Sequence, residues 1–126
     1  MSAPPLVAIV DDDASMREAL RDLVGSLGYR AAAFATADDY LGASDLGGLA
    51  CLILDVQMPG MNGLDLQRRL ACEKSAPPII FVTSYGDEQI RRRALRGGAL
   101  CVLEKPVQDR TIIACLETAL GRAPTY

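Results

Sequence analysis

Five short apolar runs, at residues 6–10, 31–34, 51–54, 79–82 and 100–103, alternate with segments of helical spacing, and this alternation constrains the fold more than any other feature. Four of the five are almost wholly apolar, as parallel strands covered on both faces must be. The second is alanine-rich and weaker. Between the first two runs, Met16, Ala19, Leu20, Leu23, Val24 and Leu27 form one helical stripe. Ser15 and Glu18 read as its capping box and Gly28 as its stop. Ile112, Ile113, Leu116, Ala119 and Leu120 form another stripe, with Asp109 as N-cap and Gly121 as stop. A third helix begins at Asp87 and ends at Gly97-Gly98, and weaker ones are expected over 37–42 and 63–72.

The order is therefore βαβαβαβαβα. Helix-length crossovers leave the strands parallel, and their right-handedness places helices on both faces of one open sheet. The expected fold is a doubly wound α/β domain filling 1–126, with a core over about 5–121 and a tail, or the start of a linker, over 122–126. At 126 residues and 50% hydrophobic, the chain can bury a core without a metal or disulfide staple. A net charge of −3 gives no support to direct nucleic-acid binding by this domain. No apolar run approaches the ~20 residues of a membrane span, and residues 1–5 lack the pattern of a secretory signal. Histidine is absent, which excludes His-based acid–base chemistry, Ser-His and Cys-His pairs and His metal sites. Cys51, Cys72, Cys101 and Cys115 form no C-x-x-C pair and read as buried or half-buried free thiols in a reducing compartment, the cytoplasm.

Ligands of open parallel sheets bind beyond the carboxyl ends of the strands. Asp11, Asp12 and Asp13 follow the first run and Asp55 the third; the fourth ends in Thr83-Ser84, and Glu104-Lys105-Pro106 follows the fifth. Each has an ordinary alternative. Asp13 can simply cap the next helix, Asp55 a turn, Thr83 can bond its own backbone, and Lys105 can be a solvated charge. Their common edge is what sets them apart. Carboxylates packed there repel one another and ask for a hard divalent cation, and Mg²⁺ is typically held by one or two carboxylates with water or phosphate oxygens. Lys105 suits a ligand more negative than water. The arrangement points to phosphoryl transfer onto an aspartate.

Ile9-Val10-Asp11-Asp12-Asp13, the stretch from Leu54-Asp55 through Gln57-Met58-Pro59 to Gly63, Phe81-Val82-Thr83-Ser84 and Glu104-Lys105-Pro106 together resemble the receiver domain of two-component response regulators. The FixJ/NarL-type branch is the nearest in pattern. The resemblance implies a flavodoxin-like (βα)5 sheet of strand order 2-1-3-4-5. It makes Asp55 the phosphoacceptor, taking a phosphoryl group from a sensor histidine kinase or phosphotransfer protein to give 4-aspartylphosphate. Asp12, Asp55 and the backbone carbonyl of Gln57 would bind Mg²⁺ directly and Asp11 through water. Lys105 and Thr83 would contact phosphoryl oxygens, and the bond before Pro106 is expected to be cis. Such a domain is no enzyme beyond its own phosphorylation and dephosphorylation. Its output, through helix 4, strand 5 and helix 5, would control a transcription factor domain beyond Tyr126 or a separate partner, with phosphorylation-dependent homodimerisation as one route. Arg91, Arg92, Arg93 and Arg96 make helix 4 basic, either as a solvated face or as part of that surface.

One position departs from the family. Val102 stands where receivers usually carry Tyr or Phe, and a valine has no ring to swing inward as the Thr moves. Gln57 and Tyr85 occupy the places whose side chains tune water access to the acyl phosphate, and Tyr85 is expected to shield it. Three other readings compete. A haloacid dehalogenase-type phosphatase would explain Asp11 and Asp13 as D-x-D but leaves the D-x-x-M-P stretch unexplained. A flavodoxin-like FMN carrier meets an acidic pocket that repels phosphate. A receiver-like binding module that is never phosphorylated would make Val102 its telltale.

Overall fold

Successive side chains of a strand point to opposite faces of a sheet, and in the computed structural model this sorts the core into two halves. The structure describes residues 4–43, 46–74, 76–84 and 86–121; Tyr85 and the tail 122–126 lie outside them. The elements run β1 (Leu6–Val10), α1 (Ala14–Ser26), β2 (Arg30–Phe34), α2 (Ala37–Gly42), β3 (Leu49–Asp55), α3 (Gly63–Cys72), β4 (Ile79–Thr83), α4 (Glu88–Arg96), β5 (Cys101–Glu104) and α5 (Asp109–Ala119). All strand pairs are parallel, in the order β2-β1-β3-β4-β5. This is the doubly wound order read from the sequence.

On one face, Val7, Ile9, Ile53, Ile80 and Val82 pack under α1 and α5 through Leu20, Val24, Ile112 and Leu116. On the other, Ala8, Val10, Leu52, Leu54 and Phe81 pack under α2, α3 and α4 through Tyr40, Leu66, Leu70 and Ala94. The three inner strands are almost wholly buried, whereas β2 and β5 are only partly covered because they are the edges. The alanine-rich second run is therefore an edge strand. It begins one residue earlier than expected, at Arg30, whose side chain holds the carbonyls of Pro4 (2.8 Å) and Gly47 (3.1 Å).

One helix start is decided between two readings, and another differs from expectation. The N-cap of α1 is Asp13, whose Oδ1 accepts from the amides of Ser15 (2.9 Å) and Met16 (3.4 Å). A carboxylate that reaches two orphan amides displaces the Ser15–Glu18 box. For α5 the cap is Gln108, which makes no side-chain cap bond, and Asp109 is the first helical residue, where its negative charge suits the positive end of the helix dipole. Thr36, Asn62 and Asp87 cap α2, α3 and α4 through their side chains. Gly28 follows the end of α1 at φ +88° and Gly121 that of α5 at φ +68°, left-handed conformations that favour glycine. Cys72 departs from the reading of covered thiols. It ends α3 and is exposed, while Cys51 is buried and Cys101 and Cys115 are half-buried.

Candidate functional site

Register brings the acidic residues together. Val10 of β1 lies beside Leu54 of β3, so the residues that follow them, Asp11 and Asp55, emerge side by side at the carboxyl edge of the sheet. Both are buried, 2% and 4% exposed, while Asp12 is exposed. The three can each offer a carboxylate oxygen within 4.8 Å of the others'. Asp11 is tied on every side. Its Oδ1 accepts from the Asp13 amide (2.9 Å), its Oδ2 from Lys105 Nζ (3.0 Å) and its carbonyl from an Arg17 guanidinium nitrogen (2.9 Å). Lys105 Nζ also lies 3.7 Å from Asp55 Oδ2, whereas Asp55 Oδ1 is buried without a hydrogen-bond partner.

The electrostatics follow from that geometry. Burial is the main force that raises the Asp55 pKa from 3.8 to about 7; Asp11 adds repulsion, Lys105 opposes it and Asp12 adds further repulsion. For Lys105, burial works against the charge, but the hydrogen bond to Asp11 and the charges of Asp11 and Asp55 outweigh it and hold the ammonium above its usual range. One cation thus serves two buried carboxylates, with a third beside them. A buried carboxylate oxygen that lacks a donor, flanked by two more carboxylates, fits a hard divalent cation with oxygen ligands.

Thr83 ends β4, one residue beyond the register partner of Asp55. Its hydroxyl donates to Gln57 Oε1 at 2.7 Å, and its carbonyl accepts from the Lys105 amide at 2.8 Å. The Lys105–Pro106 peptide is cis. Val102 faces α4 and, with Thr83, Gly86, Ile90 and Glu104, lines a small cavity of about 70 Å³. A wider groove of about 530 Å³ opens beside the carboxylates between Asp12, Gln57, Met58, Pro59, Asn62 and Arg93. Arg91, Arg92, Arg93 and Arg96 are all exposed, and Arg92 meets Glu88 at 3.3 Å one turn away.

Sequence reasoning missed three contributors. Arg17 holds the Asp11 carbonyl, but a basic residue early in α1 carries no distinguishing signal. The Gln57 side chain holds Thr83 across 26 residues of sequence, a pairing that only the register of β3 and β4 creates. Gly63 opens α3 hard against the end of β3. Its amide bonds the Val56 carbonyl at 2.9 Å, and a Cβ there would strike the Asp55 carbonyl and the Phe81 ring. Close backbone approach is why the residue that ends the motif begun by Leu54-Asp55 must be glycine.

Comparison with known proteins agrees with this architecture. The response regulator receiver domain model matches residues 7–117. The response regulator protein TmoT of Ectopseudomonas mendocina is 43% identical over 121 residues, covering 94% of this chain and 54% of TmoT. The transcriptional regulatory protein FixJ of Bradyrhizobium diazoefficiens is 35% identical, covering 93% of this chain and 57% of FixJ. The chain therefore spans about half the length of these relatives. A crystal structure of a response regulator receiver protein from Burkholderia phymatum superposes with a TM-score of 0.81 at 42% identity, covering 97% of this chain and 99% of that one. With the sheet order, the carboxylate cluster and a family match over nearly its whole length, the chain belongs to the response regulator receiver domain family.

Proposed function

We propose that this chain is a phosphorylatable receiver unit, folded over about residues 5–121, in which Asp55 is the phosphoacceptor. The observation that carries the reading is the buried, partnerless Asp55 Oδ1 set among Asp11, Asp12 and Lys105. Asp55 attacks the phosphorus of a phosphohistidine on a sensor kinase or phosphotransfer protein. The P–N bond breaks, imidazole leaves, and the aspartyl phosphate forms.

Asp12, Asp55 and the Gln57 carbonyl would hold Mg²⁺ directly, and Asp11 would do so through water. Bound there, the ion would supply positive charge to the phosphoryl oxygens and to the nucleophile. Lys105 is already aimed by Asp11 and needs little movement to meet a phosphoryl oxygen. Thr83 is not free in the same way. Its hydroxyl must exchange Gln57 Oε1 for the phosphoryl group, and this exchange is the local event that starts the change at α4, β5 and α5. Tyr85 shields the acyl phosphate. The unit works in the cytoplasm and controls either an attached transcription factor domain, as the relatives' names and lengths suggest, or a separate partner.

The test is intact mass after incubation with Mg²⁺ and a small acyl phosphate, beside Asp55→Asn. One added phosphoryl group that is absent from the variant supports the proposal. An equal addition to the variant places the chemistry elsewhere. No addition from either the small donor or a broad-specificity kinase leaves the unphosphorylated binding module as the better reading.

A further inference from the structure

On the sheet face covered by α1 and α5, two cysteines from different elements meet. Cys101 opens β5 and Cys115 lies on the buried stripe of α5 beside Ile112, Leu116 and Ala119. Their sulfurs are 2.8 Å apart, with the Cys101 thiol donating to Cys115 Sγ. That separation is well inside ordinary sulfur–sulfur contact and less than 1 Å longer than a disulfide bond of about 2.05 Å. The two sulfurs therefore already lie close to bonding distance across the packing of β5 on α5. Both residues are half-buried; Cys51, in the same apolar cluster, is fully buried, and Cys72 is on α3. None of the four belongs to the carboxylate cluster.

We infer that Cys101 and Cys115 form a reversible disulfide site, oxidised by a low-molecular-weight disulfide of the glutathione type. Cys115, the sulfur that accepts the neighbour's hydrogen bond, attacks the small disulfide as thiolate. It forms a mixed disulfide and releases one small thiol, which keeps the proton Cys115 gave up. Cys101 then attacks Cys115 Sγ, a new S–S bond forms, and the second small thiol departs with the Cys101 proton. Two electrons pass from the protein pair to the small disulfide, which leaves as two thiols. The bond ties α5 to the strand that ends one residue before Lys105. Pairs of this kind in reducing compartments are transient sensors rather than structural staples.

The experiment uses the whole chain with Cys72→Ser, which removes the exposed thiol. After treatment with excess oxidised glutathione, free thiols are alkylated under denaturing conditions and the protein is weighed and peptide-mapped. The expected product has lost two hydrogen atoms, carries one alkyl group, on Cys51, and yields linked peptides containing Cys101 and Cys115. Dithiothreitol restores three alkylatable thiols. In a Cys72→Ser/Cys115→Ala protein the linked species disappears. The inference is overturned if Cys101 and Cys115 stay alkylatable under conditions that glutathionylate Cys72 of the unaltered chain. A stable glutathione adduct on Cys115 that Cys101 does not resolve, or a link through Cys51, overturns it equally.

Discussion

Asp55→Asn should make the metal-free protein more stable, although it removes a charged partner of Lys105. Burial first, then the charge of Asp11, raise the Asp55 pKa from 3.8 to about 7. In the unfolded chain the group titrates at its ordinary value, so between the two values the folded state holds a proton the unfolded state has lost. Stability therefore falls as pH climbs through that window and stays low above it. At about 1.4 kcal/mol per pH unit the full span amounts to roughly 4 kcal/mol, an upper bound. Asparagine has the same shape and no charge to desolvate. It forfeits the attraction of Lys105 at 3.7 Å, so the net gain above neutrality should be about 1–3 kcal/mol.

Urea denaturation in chelator at about pH 8 and about pH 4 measures this directly. The variant should gain at the higher pH and match the parent at the lower. Adding Mg²⁺ should stabilise the parent, because a ligand that binds only the folded state adds stability, and should do little for the variant, so the gap narrows or reverses. A variant no more stable than the parent at high pH without metal would refute the reasoning. So would a gap of equal size at both pH values, which would mean that shape rather than charge decides the site.

Two further substitutions probe the surroundings. Gly63→Ala puts a methyl group against the Asp55 carbonyl and Phe81, and should cost about 3 kcal/mol or more in urea denaturation; a loss below about 1 kcal/mol would mean the junction of β3 and α3 yields easily. Gln57→Ala removes the 2.7 Å bond from the Thr83 hydroxyl to Gln57, worth about 1 kcal/mol, and should speed phosphorylation by a small acyl phosphate about fivefold. An unchanged or slower rate, followed by intact mass, would show that this bond does not hold Thr83 back.

What was legible in the chain was whatever is written locally. Inner strands announce themselves because burial on both faces leaves no polar position, as in Ile79 to Val82, and the site residues follow because each stands just after such a run. The start of α1 carries two overlapping capping patterns, the Ser15–Glu18 box and Asp13, and only the fold decides that Asp13 reaches the free amides. The pairs Thr83–Gln57 and Cys101–Cys115 were invisible for a deeper reason. They depend on register and on which face of β5 meets α5, and neither is set by residues near either member of the pair.

Val102 shows how these levels meet. From the sequence it was a missing ring. In the fold it borders a cavity of about 70 Å³ that Thr83 also lines. Valine offers no ring to couple to Thr83, whose hydroxyl bonds Gln57 at 2.7 Å. A close-packed ring transmits displacement because it must move when its neighbour moves; a void beside a valine does not. In the proposed transfer, moving the Thr83 hydroxyl includes breaking its bond to Gln57, and the consequence passes through the backbone that joins the Thr83 carbonyl to the Lys105 amide at 2.8 Å. That link binds β4 to the end of β5 directly, and a signal using it needs no aromatic side chain at residue 102.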